Sequence, residues 1–294
     1  QNTKDIFVRQ NNTGDTFVIE FPGSDNSEEI NPALSRDGSM IAFATNNNDL
    51  FPNDDGFNIV VFMLDGPSAG KVYPITTMHW NGVGHDETWP TWDPSGGKIA
   101  YQSFPLEGLW DNPGSTEEID IFYRDVFETM TWYDGVETDF DRWETEKPSE
   151  ISLTKIGDGV SNFQPAWNHA APDSIAYVSD RDDTWQVYVL FGIGVEGEDP
   201  GLGGIMERRV SNHPEADSDN SEHPELIIFS YDLGNFGRDD CKDGAEAIFY
   251  EGGPDIFMAC VGEDGEYIYT NWVRGSYPKL MPGSNSLAFV GDGA

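Results

Sequence analysis

Carboxylate-rich segments carry the side chains of this sequence that are best suited to chemistry. They occupy residues 46–56, 179–183, 216–222 and 237–244. A hard cation such as calcium takes several oxygen ligands, which closely spaced carboxylates and backbone carbonyls provide. The sequence therefore predicts one or more bound calcium ions. The candidate ligands are Asp54, Asp55, Asp180, Asp182, Asp217, Asp219, Asp239 and Asp243.

Residues that could act as a nucleophile, an acid or a base form no recognisable catalytic set. Residues 66–70, GPSAG, match the G-x-S-x-G nucleophile elbow, but that motif needs a helix after it, and here two predicted strands flank it. The five histidines show no metal-binding spacing such as H-E-x-x-H. Carboxylates are so abundant that any two could be called the pair of a glycoside hydrolase, and sequence cannot measure their separation. We therefore predict that the protein is not an enzyme.

Two insertions, at residues 104–118 and 126–148, combine aromatic with acidic side chains. Exposed aromatic residues are typical of surfaces that bind other proteins. The residues expected to contact a protein partner or another copy of the chain are Trp110, Trp132, Tyr133 and Trp143. The alternative is that the insertions fold back and pack on themselves.

The two cysteines, Cys241 and Cys260, lie close together in the sequence. Cys241 precedes one predicted strand and Cys260 ends the next, so a hairpin could bring the two sulfur atoms together. In an exported protein this arrangement predicts a disulfide. Two separate buried thiols are the alternative.

The charge balance limits the possible partners. Asp and Glu number 53 against 16 Lys and Arg, which gives a net charge of −37. Such a chain repels nucleic-acid phosphates and anionic membranes, so neither is an expected partner, and no apolar run is long enough for membrane insertion. The acidity suits calcium, basic partners or a salty medium. Solubility through self-repulsion is an equally good interpretation.

One repeat positions these candidate residues. Residues 31–45, 89–103, 164–180 and 277–293 each contain a proline, then a turn, then an apolar residue that opens an Ala-aromatic strand. The proline precedes that apolar residue by nine positions in three copies and by ten in the copy at 164–180. A fifth copy is split by a polar insertion between 223–226 and 245–252. Alternating strands follow each of the first four units in chain order, which predicts four strands per unit.

The two ends of the chain complement each other. The last copy stops after its second strand, and the segments at 5–10 and 16–21 could supply the missing third and fourth strands. Closure of this kind would remove two exposed sheet edges.

The repeat resembles the WD40-like repeat of TolB-type β-propellers, most clearly in TWDPSGGKIAYQS and PAWNHAAPDSIAYVSDRD. The resemblance implies an all-β, five-bladed propeller with four-stranded blades, closed by the N- and C-terminal strands. Six blades are the alternative. The single domain would span 1–294, with blades at about 30–77, 88–156, 163–211, 222–271, and 276–294 plus 5–21.

These observations favour a non-catalytic, calcium-stabilised propeller that binds a protein partner or assembles with itself, for instance in a surface layer or filament. The expected location is extracellular, at the cell surface or periplasmic. The alternative function is a lectin or glycoside hydrolase that uses the mouth of the propeller channel.

Overall fold

The computed structural model describes twenty β-strands, one α-helix and one short 3-10 helix, η1 (Ser24–Asn26). The residues it describes are 4–51, 56–76, 85–105, 118–136, 150–154, 159–168, 173–182, 185–193, 206–211, 225–231, 246–252, 255–261, 267–274, 276–280 and 287–290.

Four antiparallel sheets of four strands each make up most of the described chain. The first sheet contains β3 (Glu29–Leu34), β4 (Met40–Thr45), β5 (Asn58–Met63) and β6 (Val72–Pro74), and the second contains β7 (His85–Trp92), β8 (Lys98–Pro105), β9 (Asp120–Asp125) and β10 (Ile151–Ser152). The third contains β11 (Asn162–Trp167), β12 (Ser174–Ser179), β13 (Gln186–Phe191) and β14 (Met206–Arg209), and the fourth contains β15 (Glu225–Tyr231), β16 (Glu246–Gly252), β17 (Asp255–Val261) and β18 (Tyr267–Arg274). The prediction of an all-β fold made of four-stranded repeats is confirmed.

Two further sheets have two strands each. The first pairs β1 (Phe7–Arg9) with β2 (Thr16–Val18), and the second pairs β19 (Ser276–Leu280) with β20 (Leu287–Val290). The chain divides into two compact units, residues 1–159 and 160–294, and the two hairpins belong to different units. The number of blades, the closure by the chain ends and the single-domain boundaries stay predictions.

A register shift interrupts the first strand of five sheets, and in the first three sheets it comes with a left-handed residue directly before the proline of the repeat. The residue before that proline has a left-handed backbone, with φ of 52° at Asn31, 55° at Trp89 and 49° at Gln164. At each of these positions the register against the second strand shifts. A bulge adds one residue to a strand and bends it. The proline spacing seen in the sequence therefore marks a shared backbone feature.

The cores follow from the alternation of side chains along each strand. In the unit 1–159, Ile6, Ile19 and Phe21 pack on one face of the first sheet. The other face of that sheet packs against the second sheet, with Trp92 and Tyr101 among the buried residues. In the unit 160–294 a third apolar core joins the third and fourth sheets and includes Val178, Val189, Ile248 and Ala259.

The helix α1 (Val126–Val136) forms the first half of the insertion that follows β9. The carboxylate of Asp125 accepts a hydrogen bond from the backbone N–H of Glu128 at 2.8 Å, which is the geometry of an N-terminal cap. Among the described residues, no helix is long and apolar enough to cross a membrane.

Candidate functional site

One end of each of the first three sheets carries a row of four buried polar side chains. The strand register places the first three members opposite one another, and the fourth follows the last strand of the sheet. The first polar row is Glu29, Thr45, Asn58 and Thr76, the second polar row is Glu87, Ser103, Asp120 and Thr154, and the third polar row is Asn162, Ser179, Gln186 and Ser211.

The last member of every row is a hydroxyl that completes the sheet. The hydroxyls of Thr76, Thr154 and Ser211 accept backbone N–H bonds from Ile59, Ile121 and Val187 at 2.8, 3.0 and 2.8 Å. The same hydroxyls donate to Asn58, Asp120 and Gln186 at 3.4, 2.7 and 2.8 Å. A buried N–H without a partner would be costly, so the rows stabilise the sheet ends.

Charge is not needed for that structural task. The third polar row opens with Asn162 and contains Gln186, so it is neutral, and its sheet is complete. Glu29 and Glu87 occupy the position of Asn162 in the first and second rows. Burying a carboxylate is expensive. The fold therefore does not require a glutamate at this position.

Within the described residues, Glu29 forms no ion pair. It is 2% exposed. Its Oε1 accepts from Ser27 Oγ at 2.6 Å and from Thr45 Oγ1 at 3.2 Å, whereas Oε2 is buried without a hydrogen-bond partner. Burial raises the pKa of Glu29, and the nearby charges of Asp5 and Glu28 raise it further. This environment favours the protonated form.

Glu87 is next to Ser103, which in turn contacts His85. It is fully buried, at 0% exposure, and its Oε1 is 3.5 Å from Ser103 Oγ. The Nδ1 atom of His85 is 3.1 Å from the same hydroxyl. His85 is half-buried, so it is the member of this trio that solvent can reach. In the first sheet Ser27 occupies the position of His85, two residues before the glutamate, and its hydroxyl donates directly to Glu29.

A buried arginine cluster, made of Tyr101, Arg124 and Glu150, lies on the same face of the second sheet. The Arg124 side chain is 1% exposed, and its Nε donates to Tyr101 Oη at 3.2 Å. Its Nη2 is 3.5 Å from Glu150 Oε1, and the Tyr101 hydroxyl also donates to Glu150. Burial lowers the pKa of Arg124, but its interactions with Tyr101, Glu150 and Glu87 outweigh burial and raise it. Burial, followed by the charge of Glu150, raises the pKa of Tyr101.

Arg124 occupies a position that is apolar in the first and third sheets. It pairs with Ile99, as Phe62 pairs with Ile41 in the first sheet and Leu190 with Ile175 in the third. Neither the arginine cluster nor the polar rows was predicted from the sequence. Aligning the third strands of the repeat would have exposed the arginine, because IFYRD breaks the apolar pattern of IVVFM and QVYVLF.

Two of the predicted calcium ligands lie among the described residues, and both are engaged by protein groups. Asp180 Oδ1 accepts the backbone N–H of Ser161 at 2.8 Å. Asp182 Oδ2 accepts from Tyr188 Oη at 2.7 Å and from Arg209 Nη1 at 2.8 Å. These two contacts, Tyr188 first, lower the pKa of Asp182.

The remaining predicted ligands lie outside the described residues: Asp54, Asp55, Asp217, Asp219, Asp239 and Asp243. Within the described part of the chain, no group of three or more His, Cys, Asp or Glu residues could hold a metal ion. Calcium binding stays a prediction.

The predicted contact residues Trp132 and Tyr133 lie on α1, and both are half-buried. The Tyr133 ring packs edge-on against Tyr73, with 5.9 Å between ring centroids. Trp110 and Trp143 lie outside the described residues. A partner for these four residues stays a prediction.

Two smaller predictions concern the cysteines and the GPSAG segment. Cys260 is disulfide-bonded. Cys241 lies outside the described residues, so the pairing of the two stays a prediction. The GPSAG segment is a turn between β5 and β6, closed by a 2.9 Å hydrogen bond from the N–H of Gly70 to the carbonyl of Met63, and it has none of the structure of a nucleophile elbow.

Solved structures share this fold. TolB from Acinetobacter baumannii superposes with a TM-score of 0.52 at 12% identity, covering 93% of this chain and 50% of that one. An oligogalacturonate lyase from Vibrio parahaemolyticus gives a TM-score of 0.54 at 10% identity, covering 100% of this chain and 65% of the lyase. An oligogalacturonate lyase in complex with manganese gives 0.53 at 11%, covering 98% and 64%. The chain thus spans half to two thirds of these proteins. No family model matches the sequence, and no curated protein matches it.

These similarities confirm the resemblance to TolB at the level of the fold. They also correct one prediction. A non-catalytic binding or structural module does not follow from this fold, because the same fold occurs in oligogalacturonate lyases, which are enzymes. At such low identity the likeness establishes the fold alone, and the chemistry must be argued from the residues.

Proposed function

We propose that the chain is the catalytic part of a carbohydrate lyase in which His85 accepts a proton from the substrate. The observation that carries the proposal is the position of His85: its ring is half-buried, and its Nδ1 is 3.1 Å from Ser103 Oγ, which also contacts the buried Glu87. A histidine with a pKa near neutrality is a common general base when neighbouring groups orient it.

The burial of Glu29 and Glu87 makes these two residues unsuitable as the acid pair of a glycoside hydrolase. A glycoside hydrolase needs two carboxyl groups that flank the scissile bond and touch the sugar. Glu29 and Glu87 are 2% and 0% exposed, so neither can flank a bound saccharide. Elimination needs one accessible base, and His85 meets that requirement.

The proposed step is a β-elimination on a uronic acid residue. His85 takes the proton from the carbon next to the carboxyl group, a C=C bond forms in the sugar ring, and the C–O bond to the neighbouring sugar breaks. The departing oxygen takes a proton from water. The products are an unsaturated uronate and a shortened saccharide, with atoms and electrons balanced.

The fold and the net charge limit the class of saccharide that can be the substrate. Two lyases that act on oligogalacturonate share the fold. A chain with net charge −37 repels a saccharide that carries free carboxylates. A methyl-esterified uronate, or a uronate neutralised by a divalent cation, avoids that repulsion.

The test is to incubate the protein with methyl-esterified and free oligogalacturonates, with and without calcium or manganese, and to follow the ultraviolet absorbance of the new double bond. We expect product from the wild type and a loss of about 100-fold or more in His85→Asn. Ser179→Ala, in the neutral third row, is the control and should retain activity. Absence of unsaturated product from every substrate, or an active His85→Asn variant, would overturn the proposal.

A location outside the cytoplasm is part of the proposal. It is supported by the disulfide bond of Cys260, because disulfides persist in oxidising compartments. A measurement of Cys260 in protein recovered from its natural source, by mass spectrometry without reduction, tests it. Finding the thiol free there would contradict it.

We also propose that the two hairpins complete a fifth blade. The support is the number of strands: the described chain has four sheets of four strands and two sheets of two, and the two small sheets together have the four strands of one blade. The repeat aligns Val8 with Val189 and Ala288 with Ala176, and Val189 and Ala176 face each other across β12 and β13. The double variant Val8→Cys, Ala288→Cys should therefore crosslink within one molecule under mild oxidation. Failure to crosslink, with the single variants folded, would reject the blade.

A further inference from the structure

We propose that Arg124 is a positioning residue that keeps Glu87 ionised, so that the Glu87 carboxylate supports the protonated form of His85 through Ser103. This inference rests on the proposed function of His85, but it concerns a different group and a different measurement. It explains why one sheet buries a cation where its neighbours bury apolar side chains.

The first step of the argument is the placement of Arg124. Its side chain is 1% exposed and contacts Glu150 and Tyr101, and the strand register places it on the same face of the second sheet as Glu87. A buried carboxyl group without a cation takes up a proton, and a buried cation reverses that tendency. Arg124 therefore supplies the charge that allows Glu87 to stay ionised at 0% exposure.

The second step is the contrast with Glu29, the equivalent residue of the first sheet. The position of Arg124 is taken there by Phe62, and the position of Tyr101 by Phe43. Oε1 of Glu29 accepts hydrogen bonds from two hydroxyls, those of Ser27 and Thr45. Burial without a cation accounts for its raised pKa. The same residue type in the same register thus has two charge states, set by the third strand.

The third step is the route from Glu87 to His85. Ser103 Oγ is 3.5 Å from Glu87 Oε1 and 3.1 Å from His85 Nδ1, so one hydroxyl contacts both groups. A serine hydroxyl donates once and accepts, and it can therefore link an imidazolium to a carboxylate. The Glu87 contact is at the outer limit for a hydrogen bond, and we expect it to shorten when His85 carries a positive charge.

The groups around Glu87 come from every strand of the second sheet and from the first sheet. They are His85 and Asp86 on β7, Tyr101 and Ser103 on β8, Asp120 and Arg124 on β9, Glu150 next to β10, and the carbonyl of Phe57, which accepts the Glu87 N–H at 2.8 Å. Arg124 is the permanent cation of this set, and the carboxylates outnumber it. Its removal should therefore force a proton onto one of them, and Glu87 is the least exposed.

The test is the titration of His85, followed by NMR on protein with isotope-labelled histidine and assigned with His85→Asn. Loss of a nearby cation would by itself move the midpoint of His85 to higher pH. The proposal predicts the opposite: in Arg124→Leu the midpoint moves to lower pH by roughly one unit, because a protonated Glu87 no longer supports the imidazolium. Arg124→Lys should restore the wild-type midpoint. Arg181→Leu, in the third sheet, should leave it unchanged.

A second variant keeps the test decisive if Arg124→Leu does not fold. The triple variant Tyr101→Phe, Arg124→Phe, Glu150→Val installs the residues of the first sheet, Phe43, Phe62 and Val72, which pack in the same register. We expect it to fold and to show the same fall in the His85 midpoint. An unmoved or raised midpoint in a folded variant would overturn the role of Arg124.

The titration separates this inference from the proposed function. If the wild type forms no unsaturated product but the His85 midpoint falls in the Arg124 variants, the lyase is rejected and the positioning role stands. If the wild type is active and the midpoint does not move, the positioning role alone is rejected. When both hold, the pH of half-maximal activity should shift with the His85 midpoint.

Discussion

The second and third sheets contain the same kinds of side chain in two different arrangements. Each has a polar row, and each has a tyrosine hydroxyl bonded to an arginine that pairs with a glutamate. In the second sheet this trio is Tyr101, Arg124 and Glu150, and in the third it is Tyr177, Arg181 and Glu207. Arg124 comes from the middle of the sheet and is 1% exposed, whereas Arg181 comes from the connection after β12 and is 26% exposed.

The difference follows the charge of the polar row. The second row contains two acids, Glu87 and Asp120, and the arginine of that sheet is buried. The third row is neutral, and Leu190 takes the place of Arg124. A buried charge is tolerated when a partner compensates it. We conclude that the second sheet is the part of the described molecule in which a charged interior is kept at a cost in stability.

The largest expected effect is the loss of stability when Arg124 is removed, compared with the removal of Arg181. Arg124→Leu leaves the buried Glu87 and the half-buried Glu150 without their cation and should lower the free energy of unfolding by about 3–5 kcal/mol. Arg181→Leu breaks a partly exposed pair, Arg181 to Glu207, and should cost at most about 1 kcal/mol. Urea unfolding of both variants measures the difference. Equal losses would show that the two trios are equivalent and would break the comparison.

A smaller effect should be common to both sheets. Thr154→Val and Ser211→Ala each remove the hydroxyl that accepts a buried backbone N–H, from Ile121 and Val187. We expect each to cost about 1–3 kcal/mol, because the N–H is left unsatisfied. Thermal unfolding of the pair provides the measurement. A cost in one sheet and none in the other would mean that the rows do not share a structural role.

The repeat explains how much could be predicted. The proline spacing and the alternation of apolar residues follow from the backbone, so the strands and the four-stranded sheets could be inferred from residues such as Pro90 and Ile99. The site could not, because it depends on which side chains meet across strands. Ser103 faces Glu87 only when β7 and β8 are in a specific register, and the bulge at Trp89 sets that register.

The large number of acidic residues also prevented the prediction of the site from the sequence. With 53 acidic residues in the chain, buried and exposed carboxylates look alike in the sequence. The predicted calcium ligands were chosen for their density, whereas Glu29 and Glu87 lie outside the dense acidic segments, each after one acidic residue, Glu28 or Asp86. A single polar residue at a repeat position that is otherwise small or apolar was the more informative signal, and Arg124 shows it best.

The free energy of unfolding should depend on pH through the protonation of Glu29 in the first polar row. The pKa of Glu29 is raised in the folded state, so the folded protein binds this proton more tightly than the unfolded chain does. The stabilisation is complete below the ordinary pKa of the carboxyl group and is lost as the pH rises through the folded value. Glu29→Gln should therefore flatten the fall in unfolding free energy over that window.

Unfolding curves of the wild type and Glu29→Gln across that pH range provide the measurement. Glu20→Gln, which changes an exposed glutamate just after β2, is the matched control and should follow the wild type. Parallel pH profiles for the wild type and Glu29→Gln would contradict the protonated state of Glu29.

The smallest effect concerns Asp182, at the exposed end of the third sheet. Its hydrogen bond with Tyr188 and its ion pair with Arg209 lower its pKa, so its contribution is present above the unfolded pKa and is lost as the pH falls through the folded value. Its side chain is 42% exposed, so Asp182→Asn should cost no more than about 1 kcal/mol at neutral pH. The cost should shrink further in high salt, as measured by thermal unfolding. A loss that does not depend on salt would indicate a buried role for Asp182.

The central claim is that two glutamates in the same register have opposite charge states because one sheet buries an arginine and the other does not. Infrared or NMR detection of labelled glutamate carboxyl groups, assigned with Glu29→Gln and Glu87→Gln, tests it most directly. At mildly acidic pH the account predicts a protonated signal that disappears in Glu29→Gln and an ionised signal that disappears in Glu87→Gln. A protonated Glu87 under those conditions, with Arg124 in place, would contradict it.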